Sequence, residues 1–256
     1  MTAVRTIALI GPLLLFTAGL AAAQHKDVQP SAAGDGLEVH GSFRRLAHTG
    51  DTAGKVALGA IRAQPGVWGV GALAGLEGEL VVADGRVLIS RGSDQKGRTE
   101  APGPSDMATL YAGTKVSDWS QVVVPSEMNR PQFERFLQNS AVTLEAAQDA
   151  PFVFRVEGTF PKLVWHVVRG RASPGGPGTA HGGQHANPHA AMHVFDEPGS
   201  RGQLIGIHSG AALEGVVSHP GERLHIHFAD RNLARSGHVD DYSVAAGAIL
   251  YLPRSR

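Results

Sequence analysis

The sequence lacks cysteine altogether, and this excludes disulfide scaffolds, thiolate metal sites and cysteine nucleophiles. It also lacks net charge, because 23 Lys and Arg residues balance 23 Asp and Glu residues. Without a basic field, nucleic acid is not expected to be a partner. Aromatic residues are scarce at 6%. Glycine, at 33 residues, and histidine, at 13, are abundant instead, which points to a turn-rich β protein able to bind metal.

Long apolar runs are lacking as well, apart from one near the N-terminus. Arg5 precedes the apolar residues 7–20, and the alanines at 21–23 give an A-x-A cleavage site before Gln24. We interpret residues 1–23 as a signal peptide, because the run is short for a transmembrane helix; an uncleaved membrane anchor is the alternative. The protein is therefore expected to be exported, to a periplasm or outside the cell, with no membrane contact after cleavage.

Two further segments are predicted to be irregular. Residues 24–36 have the composition of a linker, and residues 170–188 are dense in glycine and proline, which is typical of a loop. The chain is thus divided into a signal peptide, a linker and one domain over residues 37–256, with a loop insertion at about 170–193.

Sequence periodicity predicts a mainly antiparallel β protein with few helices, in the α+β class. Helices are predicted over about residues 51–63 and from a first turn that contains Pro131. Residues 79–89 predict a hairpin whose two-residue turn is Asp84-Gly85. Further strands are predicted at 109–116, 152–156, 162–168, 203–208, 213–217, 223–228, 238–244 and 248–252.

The sharpest chemical signal is a set of three histidines. His225 and His227 are two residues apart, so on a strand they share a face. After the polar connection 229–237, His238 opens the returning strand and can face them. Three imidazoles on one sheet face match an open zinc site of the catalytic type, although iron, copper, manganese and nickel also accept such ligands. Paired histidines on a solvated face are the alternative.

A second series of histidines is spaced by four residues and ends at His193. Glycine and Pro188 interrupt this segment, so a continuous helix is not expected. Two interpretations of this segment remain open. It is a flexible loop that contains histidines, or a loop that also binds metal weakly, through His181, His185, His189 and His193. Surface or core positions are expected for the remaining histidines, His25, His40, His48, His208 and His219.

Six segments, taken in order, carry a resemblance to a known family. They are 37–85, which holds a G-x-G-x-x-x-L stretch and an EGEL hairpin, then ATLYAGTKV at 108–116, FRVEGTF at 154–160, GQLIGI at 202–207, LHIHF at 224–228 and GHVDDY at 237–242. Together they resemble the α-acetolactate decarboxylases.

The resemblance implies two packed β-sheets and a zinc-dependent lyase. Such an enzyme converts 2-acetolactate to acetoin and CO2 through a metal-stabilised enediolate, without an organic cofactor. It implies that His225, His227 and His238 are metal ligands. It also implies that Glu79 is an active-site glutamate; the alternative is that Glu79 is only a charged residue at the edge of a hairpin. The expected partner is a small molecule, 2-acetolactate or a related keto acid, and a homodimer is a candidate assembly.

The chain departs from the family pattern where the family has an active-site arginine. Without a gap, His166 occupies that position, and Arg169 or Arg171 could serve only with a shift of a few residues. The family's second glutamate, near the C-terminus, has no counterpart, because no glutamate follows Glu222.

A further departure is Asp240, where the family is usually apolar. On a strand it shares a face with His238, so it is a candidate proton donor or acceptor for a ligand imidazole. A solvated carboxylate beside Asp241 is the alternative. These departures keep two other functions open: a metal-dependent enzyme of altered chemistry on the same scaffold, and a non-enzymatic protein that binds metal or a small molecule in the periplasm.

Overall fold

The computed structural model describes residues 36–61, 64–144, 150–170 and 192–254. The predicted signal peptide, the linker up to residue 35 and residues 171–191 of the predicted loop insertion lie outside these ranges. None of the helices in the described ranges has both the length and the apolar character to cross a membrane.

Seven antiparallel strands form the first sheet. They are β1 (Glu38–His40), β2 (Val56–Ala57), β3 (Val67–Leu73), β4 (Gly78–Ala83), β5 (Arg86–Arg91), β6 (Thr99–Glu100) and β7 (Met107–Lys115). Their order is β1-β7-β3-β4-β5-β6, and β2 pairs with β7.

Nine antiparallel strands form the second sheet. They are β8 (Trp119–Val123), β9 (Met128–Asn129), β10 (Phe152–Phe160), β11 (Leu163–Val168), β12 (Met192–Asp196), β13 (Ser200–His208), β14 (Leu224–Asp230), β15 (Ser236–Val244) and β16 (Ile249–Pro253). Their order is β12-β11-β15-β14-β13-β10-β16-β8, and β9 pairs with β15.

The two sheets pack face to face, which confirms the predicted fold class. Val70 and Val81 of the first sheet share a buried cluster with Val153, Ile205 and Ile207 of the second. Strand β13 lies against β3, and β15 lies against β4. The space beside β4 and β15 therefore lies between the sheets and is closed on both sides by strands.

Helix α2 (Arg130–Thr143) begins as the sequence predicts. Asn129 accepts a hydrogen bond from the N–H of Gln132, and the Gln132 side chain accepts one from the N–H of Asn129. This reciprocal cap fixes the first turn. The helix buries Phe133 against the outer face of the second sheet, where its ring meets that of Tyr242.

The helix predicted over residues 51–63 is wrong. The described residues of that segment form β2 and a short 3-10 turn (Leu58–Ala60), and helix α1 (Phe43–Thr49) lies just before them. Gly50 ends α1 in the left-handed region at φ 65°. The Asp51 carboxylate then accepts hydrogen bonds from the N–H of Ala53 and from Lys55, a local turn that competes with helix.

The hairpin at residues 79–89 is confirmed. Ala83 pairs with Arg86 across the turn, and both turn residues have positive φ, at 50° for Asp84 and 78° for Gly85. Positive φ at both positions is the geometry of a type I′ turn.

The strand predicted at 213–217 is also wrong, because these residues form turns. Gly215 has φ 75°, and the carbonyls of Gly215 and Val216 accept hydrogen bonds from Arg44 and Phe43 at the start of α1. The other predicted strands correspond to β7, β10, β11, β13, β14, β15 and β16.

Candidate active site

Strands β14 and β15 bring the three histidines together on one face. His227 pairs with His238 across the two strands, and His225 lies two residues before His227. One nitrogen from each ring can be chosen so that all three lie within 4.8 Å of one another. The spacing predicted this shared face, and the group could hold a metal ion.

The three imidazoles are neutral at ordinary pH. Burial lowers the pKa of His225 to about 3, and it lowers the pKa values of His227 and His238 well below their usual range. The Nε2 atoms of His225 and His227 lie 3.0 Å apart. Neutral imidazoles with convergent nitrogens are the donor set of an open, three-ligand zinc site, so these residues fit a divalent ion.

Glu79 faces the histidines from the first sheet. It lies on β4, between β3 and β5, and its side chain is buried rather than at a solvated hairpin edge. Its Oε2 is 3.7 Å from Nε2 of His227, and its Oε1 accepts a hydrogen bond of 3.3 Å from the N–H of Val168. Burial raises the pKa of Glu79 to about 7. This carboxyl group can therefore hold and release a proton near neutral pH.

His166, on β11, joins the same site. It pairs with His238 across the strands, and its Nε2 is 4.0 Å from Oε1 of Glu79. Its Nδ1 lies 2.9 Å from each carboxylate oxygen of Asp240. Burial alone would lower the pKa of His166, but the hydrogen bond to Asp240, together with the charges of ionised Glu79 and of Asp240, outweighs burial and raises it. In the described structure, Asp240 is thus hydrogen-bonded to His166 and not to one of the three clustered histidines.

The two neighbouring arginines do not join this group. Arg169 is exposed just after β11 and does not line the cavity, and Arg171 lies outside the described residues. His193 lies on β12, where its Nε2 contacts the carbonyl oxygen of Gly92 at 3.1 Å. The other members of its series, at 181, 185 and 189, lie outside the described residues.

A cavity of about 470 Å³ opens beside the histidines. Its polar wall includes His166, His225, His238, Glu79 and Asp240, and its apolar wall comes from α1, β3, β7, β11 and β12. An apolar cavity with a few convergent polar groups is the usual form of a small-molecule site.

Sequence reasoning missed His219, which lines this cavity next to Pro220. Its ring centroid is 4.2 Å from that of Phe43 and 5.8 Å from that of His238. Burial lowers its pKa. His219 follows the turns after β13 and belongs to no spaced motif, so no sequence signal could have found it.

Comparison with known proteins identifies the family and the fold of this chain. The family model for alpha-acetolactate decarboxylase matches residues 42–253. The alpha-acetolactate decarboxylase of Bacillus subtilis strain 168 has a similar structure, with a TM-score of 0.68, 21% identity and 86% of each chain covered. A Staphylococcus aureus protein of unknown function, similar to alpha-acetolactate decarboxylase, gives a TM-score of 0.64 at 17% identity, with 84% of each chain covered.

The acetolactate decarboxylase of Bacillus subtilis subspecies spizizenii gives a TM-score of 0.68 at 20% identity, again with 86% of each chain covered. At these identities the solved structures establish the fold. A comparison with curated protein sequences found no match. Since the family model spans most of the sequence, from residue 42 to residue 253, the chain belongs to the α-acetolactate decarboxylase family.

Proposed function

We propose that this protein decarboxylates 2-acetolactate to acetoin and CO2, with a zinc ion held by His225, His227 and His238. Membership of the α-acetolactate decarboxylase family supports a carboxy-lyase of this kind. The observation that carries the proposal is the convergence of three neutral imidazoles and a buried carboxyl group, that of Glu79, beside one cavity.

The metal and the protein have separate tasks in this proposal. A divalent ion bound by the three imidazoles supplies Lewis-acid polarisation of the substrate carbonyl and stabilises the negative charge left when CO2 departs. Burial keeps the imidazoles unprotonated, so their nitrogens are available without first losing protons.

Glu79 is the proposed proton donor. When the bond to the carboxylate breaks, its electron pair stays with the substrate, and the carbon that lost CO2 must gain one proton to give acetoin. Burial favours the protonated form of Glu79, so this residue can hold a proton and give it to that carbon, and solvent then restores it. The hydrogen bond from the N–H of Val168 fixes Oε1 during this transfer.

The apolar wall of the cavity suits the rest of the substrate. Phe43, Leu110 and Val168 line the cavity, and they would contact the methyl groups of 2-acetolactate and exclude water. Exclusion of water strengthens the electrostatic interactions between the reacting groups.

The direct test is acetoin formation from racemic 2-acetolactate by the purified mature protein. Activity should disappear after chelation and return when zinc is added. Folded, zinc-loaded protein that formed no acetoin would overturn the proposal. Iron, manganese, copper and nickel, added separately to the chelated protein, test the metal preference.

A metal-dependent enzyme of altered chemistry is the second candidate. The observation that favours it is His166, which stands where the family has an arginine and whose partner is Asp240. This candidate predicts metal-dependent turnover of another keto acid and none of 2-acetolactate. Binding of metal and ligand without any turnover would instead identify a binding protein.

We also propose that the protein acts after export, in a periplasm or outside the cell. Arg5, the apolar residues 7–20 and the alanines at 21–23 support this proposal. Expression with fractionation, followed by N-terminal sequencing, should recover a chain that starts at Gln24 outside the cytoplasm. Recovery of the intact chain in the cytoplasm would contradict the proposal.

A further inference from the structure

Asp240 lies at a β-bulge in β15. Val164 of β11 pairs with Asp241, but the next residue, Trp165, pairs with Val239, so Asp240 has no partner in this ladder. The extra residue changes the alternation of β15, because Val239 and Tyr242 both pack in the core under α2 although they are three residues apart. The bulge changes the side on which the residues after it point, whereas Asp240 keeps the cavity side that its spacing of two residues from His238 gives it.

Helix α2 anchors this bulge. Arg130, the first residue of α2, donates a hydrogen bond of 2.9 Å from Nη1 to the backbone carbonyl of Asp240. The same guanidinium is paired with Glu134 at 2.9 Å and with Glu222 at 3.4 Å. The bulged carbonyl therefore has a charged donor, and this contact holds the Asp240 backbone against the helix.

Asp240 in turn fixes the ring of His166. Both carboxylate oxygens lie 2.9 Å from Nδ1, so Nδ1 carries a proton and donates it to the carboxylate. Nε2 then faces the opposite way, toward Glu79 at 4.0 Å and into the cavity wall shared with His225 and His238. A carboxylate behind an imidazole sets its tautomer and its orientation.

We propose that Nε2 of His166 accepts a hydrogen bond from the hydroxyl group of the substrate, and that Asp240 is a positioning residue that acts through His166. This inference rests on the proposed function and adds to it a contact between this His–Asp pair and the substrate. Arg130 holds the backbone of Asp240 in place for that role.

A double-mutant cycle tests whether Asp240 acts through His166 or acts on the substrate independently of it. Asp240→Ala should lower kcat/KM by about 10–100-fold, as the loss of an outer hydrogen-bond partner does elsewhere. If Asp240 acts only through His166, the double variant should be no less active than His166→Ala alone. Asp241→Ala is the matched control, because Asp241 pairs with the exposed Lys162 and does not line the cavity.

Two measurements that do not use turnover accompany the cycle. Imidazole ¹⁵N NMR should show the Nδ1-protonated tautomer of His166 in the wild type. Asp240→Asn should retain this tautomer, because its amide oxygen accepts the same hydrogen bond. Asp240→Ala should lose it. Calorimetry with 2,3-dihydroxy-2-methylbutanoate, a substrate analogue whose ketone is reduced, should show weaker binding to zinc-loaded His166→Ala and Asp240→Ala. Zinc affinity should match the wild type in these variants, and both variants should remain folded at the temperature of the assay.

The outcomes distinguish the two proposals. Wild-type protein that formed no acetoin would overturn the proposed function and this inference with it. Active wild type combined with a fully active Asp240→Ala variant, or with independent losses that multiply in the double variant, would overturn the positioning role alone. Loss of activity in Asp240→Asn with the His166 tautomer retained would likewise overturn it, because the carboxylate would then act directly.

Discussion

Glu79 and His227 approach each other from opposite sheets, with Oε2 of the carboxyl group 3.7 Å from Nε2 of the imidazole. Glu79 lies on the central strand β4 of the first sheet, and His227 lies on β14 of the second. The proposed proton donor and the proposed metal ligands therefore meet only because the sheets pack face to face. The chemistry of this site depends on the packing of the sheets as well as on the residues within each strand.

Glu79→Gln should abolish most activity while zinc binding is retained. The amide has the shape of the carboxyl group but does not deliver the proton, so kcat should fall by about 100–10,000-fold. Glu77→Gln is the control, because Glu77 is exposed and does not line the cavity. Acetoin assays on zinc-loaded proteins measure the effect, and a Glu79→Gln variant with wild-type kcat would remove Glu79 from the mechanism.

His238→Ala should weaken zinc binding strongly while the protein remains folded. Loss of a direct ligand should cost more than the ~10–100-fold in metal affinity that loss of an outer partner costs. Competition with a chromophoric chelator measures this affinity, and His48→Ala is the control because His48 is exposed on α1. Equal zinc affinity of the two variants would show that the three-histidine group is not the metal site.

Gly71→Ala should destabilise the first sheet beside the cavity. A Cβ at this position would lie 2.1 Å from the carbonyl oxygen of Leu110 on β7, so the strands would have to move apart. The free energy of unfolding should fall by about 1–3 kcal/mol, as in other overpacked sites.

Gly59→Ala is the matched control for this substitution. A Cβ at Gly59 meets nothing within 4 Å, so the free energy of unfolding should change by less than about 1 kcal/mol. Urea denaturation compares the two variants, and equal stability would contradict the close approach of β3 and β7.

Arg155→Ala should also reduce stability. The guanidinium lies 3.7 Å from the ring centroid of Tyr251, 4.8 Å from that of Trp68 and 5.4 Å from that of Trp119, so it links the two sheets. Loss of these cation–π contacts should cost about 2 kcal/mol.

Arg254→Ala provides the comparison for Arg155→Ala. Its partner is Asp118, and both side chains of that pair are about 60% exposed, so an effect within roughly 1 kcal/mol is expected. Denaturation at neutral pH measures both variants, and a neutral Arg155→Ala would show that the stacked arginine does not stabilise the packing of the sheets.

Much of the site could be predicted because it depends on strand periodicity. His225 and His227 share a face by their spacing of two, and the short polar connection to His238 makes the returning strand a neighbour. The Asp84-Gly85 turn was similarly predictable, because few dipeptides accept two positive φ angles.

Other features depend on contacts that no local pattern contains. The contact of Asp240 with His166 depends on the register of β11 against β15, and the Asp240 carbonyl accepts a hydrogen bond from Arg130, which lies far away along the chain. The burial of Glu79 depends on the second sheet. Only the family resemblance indicated that Glu79 is an active-site residue. The predicted helix over 51–63 failed because pairing of β2 with β7 overrides the helical periodicity of that segment.

A zinc titration of the metal-free mature protein, with acetoin formation from 2-acetolactate measured at each point, tests whether zinc at the three histidines is required for decarboxylation. We expect no activity without metal, a linear rise with added zinc, and saturation at one zinc ion per chain, held by the single three-histidine group found in the described residues. Protein that binds one zinc ion and stays folded but forms no acetoin at saturation would contradict this expectation.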